Sequence, residues 1–294
     1  MKRNISAVRG KHLLMLGLLM FLCLASDAQF YYGPPPPQRR PPPSRRQQAD
    51  NKNDSNPDPS GYLAINLGYT IPQGSFGTAF GSAYGAYATP GLTYDFSFAY
   101  PICHSNFGFA LMYGNYTNGY DLDTYVNNLN NSNPNLLYQS VYPDNDIYSE
   151  SSLMGGLFIT VPVGRFSFDA RIMGGVLFCS LPEQDYATQD AQGNINQYDI
   201  ESSTCSGFAF DAGLGIRYLI VKFSNRQLCA MVNLDYLYSN PNYSTVQDIY
   251  QTPALNNPNN TTYQISPSPP VSGHLPISLL NISLGLGYQF GDRR

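Results

Sequence analysis

From residue 61 onward, apolar and polar positions alternate with a period of two over eight separate stretches. That period belongs to strands whose two faces meet different surroundings. It predicts strands over 62–72, 91–101, 107–114, 152–161, 166–179, 208–218, 228–238 and 280–290. In the fifth, Phe166, Phe168, Ala170, Ile172, Val176 and Phe178 oppose Ser167, Asp169, Arg171, Met173, Gly175, Leu177 and Cys179. In the last, Leu280, Ile282, Leu284, Leu286, Tyr288 and Phe290 oppose Asn281, Ser283, Gly285, Gly287 and Gln289. Across all eight, the bulky face carries no charge and no polar group other than tyrosine hydroxyls. The opposite face is small and polar, and holds every strand charge: Asp95, Asp169, Arg171, Asp211, Arg217 and Asp235. Pro72, Pro101, Pro162 and Pro276 mark strand ends, where a ladder tolerates a missing donor.

Eight such strands close a barrel, and the two faces decide its solvent. A soluble barrel turns the apolar face inward, whereas a membrane barrel turns it to lipid around a polar interior. Here the small residues suit a narrow eight-stranded interior, and the bulky face would overfill it. The expected fold is therefore all-β, an eight-stranded antiparallel transmembrane β-barrel over 61–294. The connections alternate in length: short near 101–106, 162–165 and 219–227, long near 73–90, 115–151, 180–207 and 239–279. Outer-membrane barrels have short periplasmic turns and long extracellular loops. The long stretches contain Asp121, Asp123, Asp144, Asp146, Glu150, Glu183, Asp185, Asp190, Asp199, Glu201 and Asp248, and no Lys or Arg. Arg165, Lys222 and Arg226 fall at the short turns.

The N-terminus reads as an address. Lys2, Arg3, Arg9 and Lys11 precede an apolar run, Leu13 to Leu24, and then Ser26-Asp27-Ala28. This is the form of a signal peptide over 1–28, with a run too short to span a bilayer. Residues 29–60 follow as a proline-rich linker, with Pro34 to Pro37 and Pro41 to Pro43 favouring polyproline II and the polar remainder expected to be disordered. The linker is a solvated spacer or a tether to peptidoglycan or a periplasmic partner. Only 12% of the 294 residues are charged, and the net charge of −4 argues against a nucleic-acid partner. Loss of residues 1–28 would remove four bases and one acid, leaving the chain more acidic.

The stretch Ser283-Leu-Gly285-Leu-Gly287-Tyr288-Gln-Phe290 resembles the last-strand assembly signal of outer-membrane barrels. Pro162 to Arg171 and the run Phe107-Gly-Phe-Ala resemble small barrels of the PorT-like and OmpX-like outer-membrane protein family. The resemblance covers roughly residues 61–290. It implies a location in the outer membrane, contact with outer-membrane lipid, and a barrel-assembly machinery that reads Ser283, Gly285, Tyr288 and Phe290. Members of such a family share a scaffold rather than one activity.

Candidate chemistry is sparse. Asp95, Asp169, Arg171, Asp211 and Asp235 lie at similar heights on the inward face, where one guanidinium has five donors to share among carboxylates. They are expected to form a lumen ion-pair network, with a cation path as the alternative. His104 and His274 are the only histidines beyond the signal segment. Although Ser272 lies near His274, no spacing supports a rim hydrolase, so no catalytic residue is expected. No His or Cys cluster implies a metal, Asp121/Asp123 and Asp144/Asp146 are not an EF-hand loop, and no cofactor is implied. Cys179 and Cys205 share the inward face at matched distances from the turn, so they either form a disulfide or are staggered out of reach by barrel shear. Cys103 and Cys229 lie on distant strands and are expected to be free. Two roles fit: a structural or interaction protein whose acidic loops contact ligands or partners, or a narrow channel or transporter.

Overall fold

The computed structural model describes residues 61–77, 86–102, 105–141, 146–191, 193–223, 226–252, 264–267 and 270–290. The segments 1–28 and 29–60, Cys103, His104 and Asp144 lie outside them. In chain order the strands are β1 Gly61–Pro72, β2 Ala88–Pro101, β3 Phe107–Tyr120, β4 Leu137–Val141, β5 Ile147–Val163, β6 Phe166–Ser180, β7 Gln184–Gln189, β8 Ile195–Ile200, β9 Thr204–Phe223, β10 Arg226–Ser239, β11 Asn242–Thr245, β12 Gln247–Thr252, β13 Gln264–Pro267, β14 Val271–His274 and β15 Ile277–Phe290. A helix, α1, spans Leu122–Ser132.

Eight of these strands close on themselves. β1 pairs with β2, β2 with β3, β3 with β5, β5 with β6, β6 with β9, β9 with β10 and β10 with β15. β15 pairs back on β1 from Gly61↔Phe290 to Pro72↔Leu279, and every pairing is antiparallel. All eight expected strands are present. Most run further than the alternation alone indicated, above all β3, β5 and β9.

Parity holds around the ring. Leu284 is 65% exposed, Phe208 75% and Leu153 62%, while Ser283, Ala209 and Met154 beside them are buried. The outward face therefore carries a continuous apolar belt that only lipid can cover. Aromatic rings gather at its turn end, where Phe290 stacks on Phe98 and Tyr100 at 6.2 and 6.4 Å and Phe166 lies 5.0 Å from Tyr218. Such girdles mark a membrane–water boundary. Above Tyr113 and Leu153 the outward positions of β3 and β5 become mostly polar, at Asn115, Thr117, Ser149 and Ser151 before exposed Ile147, and the Ser151 hydroxyl donates to Asn115 across the pair at 2.8 Å.

Local chemistry sets the breaks. Gly164 has φ +62° in the two-residue turn between Val163 and Phe166, a left-handed position that glycine enters without strain. Pro90 and Gly91 sit inside β2, where the register to β3 shifts between Thr89 and Leu92, because a bulge accommodates the missing proline donor. A second shift, between Leu228 and Cys229 of β10, leaves Ile220 as an extra residue in β9. β9 then continues to Phe223, so the turn expected over 219–227 is shorter than the sequence indicated.

The connections over 115–151, 180–207 and 239–279 are not irregular loops. They contribute a second sheet, in the order β13-β12-β8-β7-β4, and α1. Asp121 caps α1, accepting from the Thr124 backbone N–H at 3.0 Å and the Thr124 hydroxyl at 2.7 Å. Asn130 of α1 clamps Tyr138 of β4 through both its backbone groups, at 2.9 and 2.7 Å.

The belt generates a direct prediction. Leu284→Arg, which places a cation on the lipid face of β15, is expected to lower stability by ~2–4 kcal/mol. The size-conserving Leu284→Met should leave it unchanged. Urea unfolding of the full chain in lipid vesicles measures both, and equal midpoints for the two variants would reverse the assigned facing.

Candidate functional site

The inward face is filled with buried side chains. Near the turn end, Arg217 of β9 crosses the lumen. Its Nε and Nη2 donate to the two Asp169 oxygens at 2.6 and 2.8 Å, and Nη2 also donates to the Thr160 hydroxyl at 2.7 Å. Its guanidinium carbon lies 4.4 Å from the centroid of the Tyr62 ring on β1, a cation–π contact strengthened by burial. Tyr62 in turn meets Phe158 edge-on at 6.3 Å. One side chain thus ties β9, β6, β5 and β1 together.

One layer further in, Arg171 of β6 reaches Asp235 of β10, with Nε and Nη2 donating to Oδ1 at 3.0 and 2.7 Å and Nη2 to Oδ2 at 2.7 Å. β9 lies between these strands. Both partners face the same residue on it, Gly213, and a Cβ there would collide with Asp235 Oδ1 and stand 2.8 Å from Arg171 Nε. Only a glycine lets the pair bridge a strand. Asp95 accepts from the Asn66 amide at 2.6 Å. Met112, Met154, Met173 and Met231 fill the remaining space, and all four are buried.

The five sequence-derived lumen charges are therefore divided. Arg171 pairs with Asp235, Asp169 pairs with Arg217, and Asp95 is held by Asn66. Asp211 is fully buried, and neither of its oxygens reaches a hydrogen-bond partner among the described residues, though it lies within electrostatic reach of Arg171 and Asp235. Arg217 stands outside the sequence-derived set although its parity on β9 already placed it inward. Glu150 was read as a loop acid, but β5 begins at Ile147 and continues the inward alternation through it. It is fully buried, and neither oxygen reaches a donor among the described residues.

At the long-connection end the second sheet aligns its acids. Asp185 of β7 is opposite Asp199 of β8, and Asp199 is opposite Asp248 of β12. One carboxylate oxygen each from Glu183, Asp185 and Asp199 lie within 4.8 Å of one another. Like charges in register destabilise a sheet, so the row is maintained at a cost. The next row is aromatic, with Tyr186 stacked on Tyr198 at 4.9 Å and Tyr125 of α1 edge-on to Tyr186 at 5.9 Å. Burial pushes the Tyr125 and Tyr186 hydroxyls above the ordinary phenol range. Other acids of these connections are structural: Asp121 caps α1, Asp123 accepts from Ser140 at 2.7 Å, and Asp190 accepts from the Asn194 backbone at 2.8 Å. His274 pairs with Asn242 across β14 and β11.

The remaining sequence-derived residues have clear places. Ser283 is buried in the lumen, and Gly285 faces Asn66 so closely that a Cβ would meet its amide oxygen. Tyr288 and Phe290 join the aromatic girdle, 6.5 Å apart. Cys179 and Cys205 are directly opposite in the β6–β9 ladder, so shear does not separate them, and both are free thiols here. Cys229 is also free and buried.

No family model and no curated protein matches the chain. Among solved structures, Neisserial surface protein A is 12% identical, with 78% of this chain and 96% of that one covered at a TM-score of 0.36. A major outer membrane protein from Thermus thermophilus is 12% identical over 79% of this chain and 100% of its own, at 0.38. Ail, the attachment invasion locus protein of Yersinia pestis, solved with the heparin analogue sucrose octasulfate, is 11% identical over 79% and 99%, at 0.34. The barrel assignment rests on this chain's own closed register and apolar belt.

The two ion pairs and Asp211 are expected to respond oppositely to mutation. Asp235→Ala leaves Arg171 buried and unpaired and should cost about 3–5 kcal/mol. Asp211→Asn removes a carboxylate that has no hydrogen-bond partner among the described residues and should be neutral or stabilising. Denaturant midpoints of the vesicle-inserted chain test the contrast, and a large loss in Asp211→Asn would show that Asp211 has a partner.

Proposed function

We propose that the protein resides in the outer membrane and that its acidic outer sheet binds a cationic ligand or partner at the cell surface. The observation that carries this reading is the row Asp185, Asp199 and Asp248, joined by Glu183, in connections whose sequence contains no Lys or Arg. Basic residues lie instead at the short turns, at Arg165, Lys222 and Arg226. An export-type N-terminus and the PorT-like and OmpX-like resemblance support a periplasmic position for those turns. The same resemblance supports recognition of the terminal strand by barrel-assembly machinery, and the proline-rich linker is suited to reach peptidoglycan or a periplasmic partner. The packed lumen weighs against enzymatic or transport chemistry inside the barrel. A narrow ion path is the second reading, favoured by one observation, the unpartnered Asp211 and Glu150 on the lumen side among the described residues.

The full chain in neutral-lipid vesicles should bind polylysine and not a sulfated polysaccharide. Binding should weaken strongly near 1 M salt, where screening shortens to ~3 Å. Asp185→Asn/Asp199→Asn/Asp248→Asn should weaken it about tenfold, or roughly 1.4 kcal/mol. A control that removes equal charge at Asp123, Asp146 and Glu201 should do much less. Equal losses in the two variants would dismiss the row as the binding element. Planar-bilayer recordings should be silent, and a steady conductance reduced in Asp211→Asn would favour the ion path instead.

A further inference from the structure

Cys179 and Cys205 form one rung of the β6–β9 ladder, near its upper end. Their side chains point the same way, inward, and both are buried. Direct opposition on adjacent antiparallel strands sets Cα atoms about 4.5–5.5 Å apart, inside the span that a disulfide bridges. Beyond this rung comes Ser180↔Thr204, a backbone bond from Leu181 N–H to the Ser203 carbonyl at 2.7 Å, and then the departure of the chain into β7 and β8. Ser206, next to Cys205, is the residue on which β11 abuts the barrel wall. The two sulfurs thus sit where the wall hands over to the acidic sheet. Glu150 stands beside Cys179 across the β5–β6 ladder, and buried Tyr148 lies within electrostatic reach of both thiols.

We propose that Cys179 and Cys205 are joined by a disulfide in the exported protein, and that the bond clamps the base of the connection carrying β7 and β8. The inference stands on strand register alone and is independent of the binding role proposed above. The co-reactant is an oxidised dithiol–disulfide carrier protein of the periplasm. A thiolate of this chain attacks one carrier sulfur, the carrier disulfide breaks and a mixed disulfide forms. The second thiolate then displaces the carrier cysteine. Two electrons and two protons pass to the carrier, which leaves as a dithiol, while this chain gains one S–S bond. Because both sulfurs are shielded in the closed barrel, the exchange takes place before closure, and closure then shields the bond from reductants.

The test uses the full-length protein extracted from membranes directly into denaturant and a thiol-blocking reagent. Non-reducing peptide mapping should give a linked Cys179–Cys205 peptide. Preincubation of the folded barrel with a phosphine reductant should leave that peptide intact, and the same reductant in denaturant should abolish it. Blocking reagent recovered on both cysteines without prior reduction would overturn the proposal. The clamp is tested separately in Cys179→Ala/Cys205→Ala, which should still run as a heat-modifiable barrel. Protease should then cut residues 181–203 at least tenfold faster than in the parent, and equal cleavage rates would reject the clamp.

Discussion

Hydrocarbon offers no hydrogen bonds, so every backbone amide and carbonyl facing it must be paired within the chain. For strands the only solution is closure, and closure occurs where β15 returns to β1 along the register that starts at Gly61↔Phe290. The rest of the molecule follows from that seam. An antiparallel ring with neighbours consecutive along the barrel requires the chain to enter and leave at the same end, and it does. A closed ring also fixes an inside and an outside for each residue, so that a register slip by one would carry Asp235 into lipid and Leu234 into the lumen.

The lumen shows what an eight-stranded circumference permits. There is room for side chains but little more, so large groups on one strand require small ones opposite. Arg171 and Asp235 meet only because Gly213 stands between them, and a Cβ at Gly215 would stand 2.7 Å from the Asn233 amide oxygen. The glycines that weaken these strands locally are the condition for the bolts that hold them together globally.

The alternation made the barrel legible because parity is the one property that a two-sided wall imposes on each residue. It identified eight strands, their facing and the inward position of all six strand charges. It did not reveal which charges pair, since partners such as Arg217 and Asp169 are set by reach across neighbouring strands and not by height alone. Glu150 was misplaced because the outward face above Leu153 is polar, which hides the strand once lipid ends. The second sheet escaped for a related reason: β4, β7, β8, β12 and β13 are four to six residues long, too short for alternation to announce them, and their aromatic face of Tyr138, Tyr186 and Tyr198 is assembled from separate connections. Asp185 and Asp199 read as loop acids until their strands were in register.

The polar upper reach of β3 and β5 also sets a height. From Tyr113 to Tyr120, and from Leu153 back to Ile147, about six residues per strand continue past Tyr113 and Leu153, while Leu92 opposite Thr117 and Phe178 opposite Ser151 remain exposed apolar side chains on the neighbouring strands. At ~3.4 Å per residue and a tilt near 40°, these two strands rise roughly 15 Å above Tyr113 and Leu153. The rim of the apolar belt is therefore uneven, and lipid meets the wall lower beside β3 and β5 than beside β2 and β6.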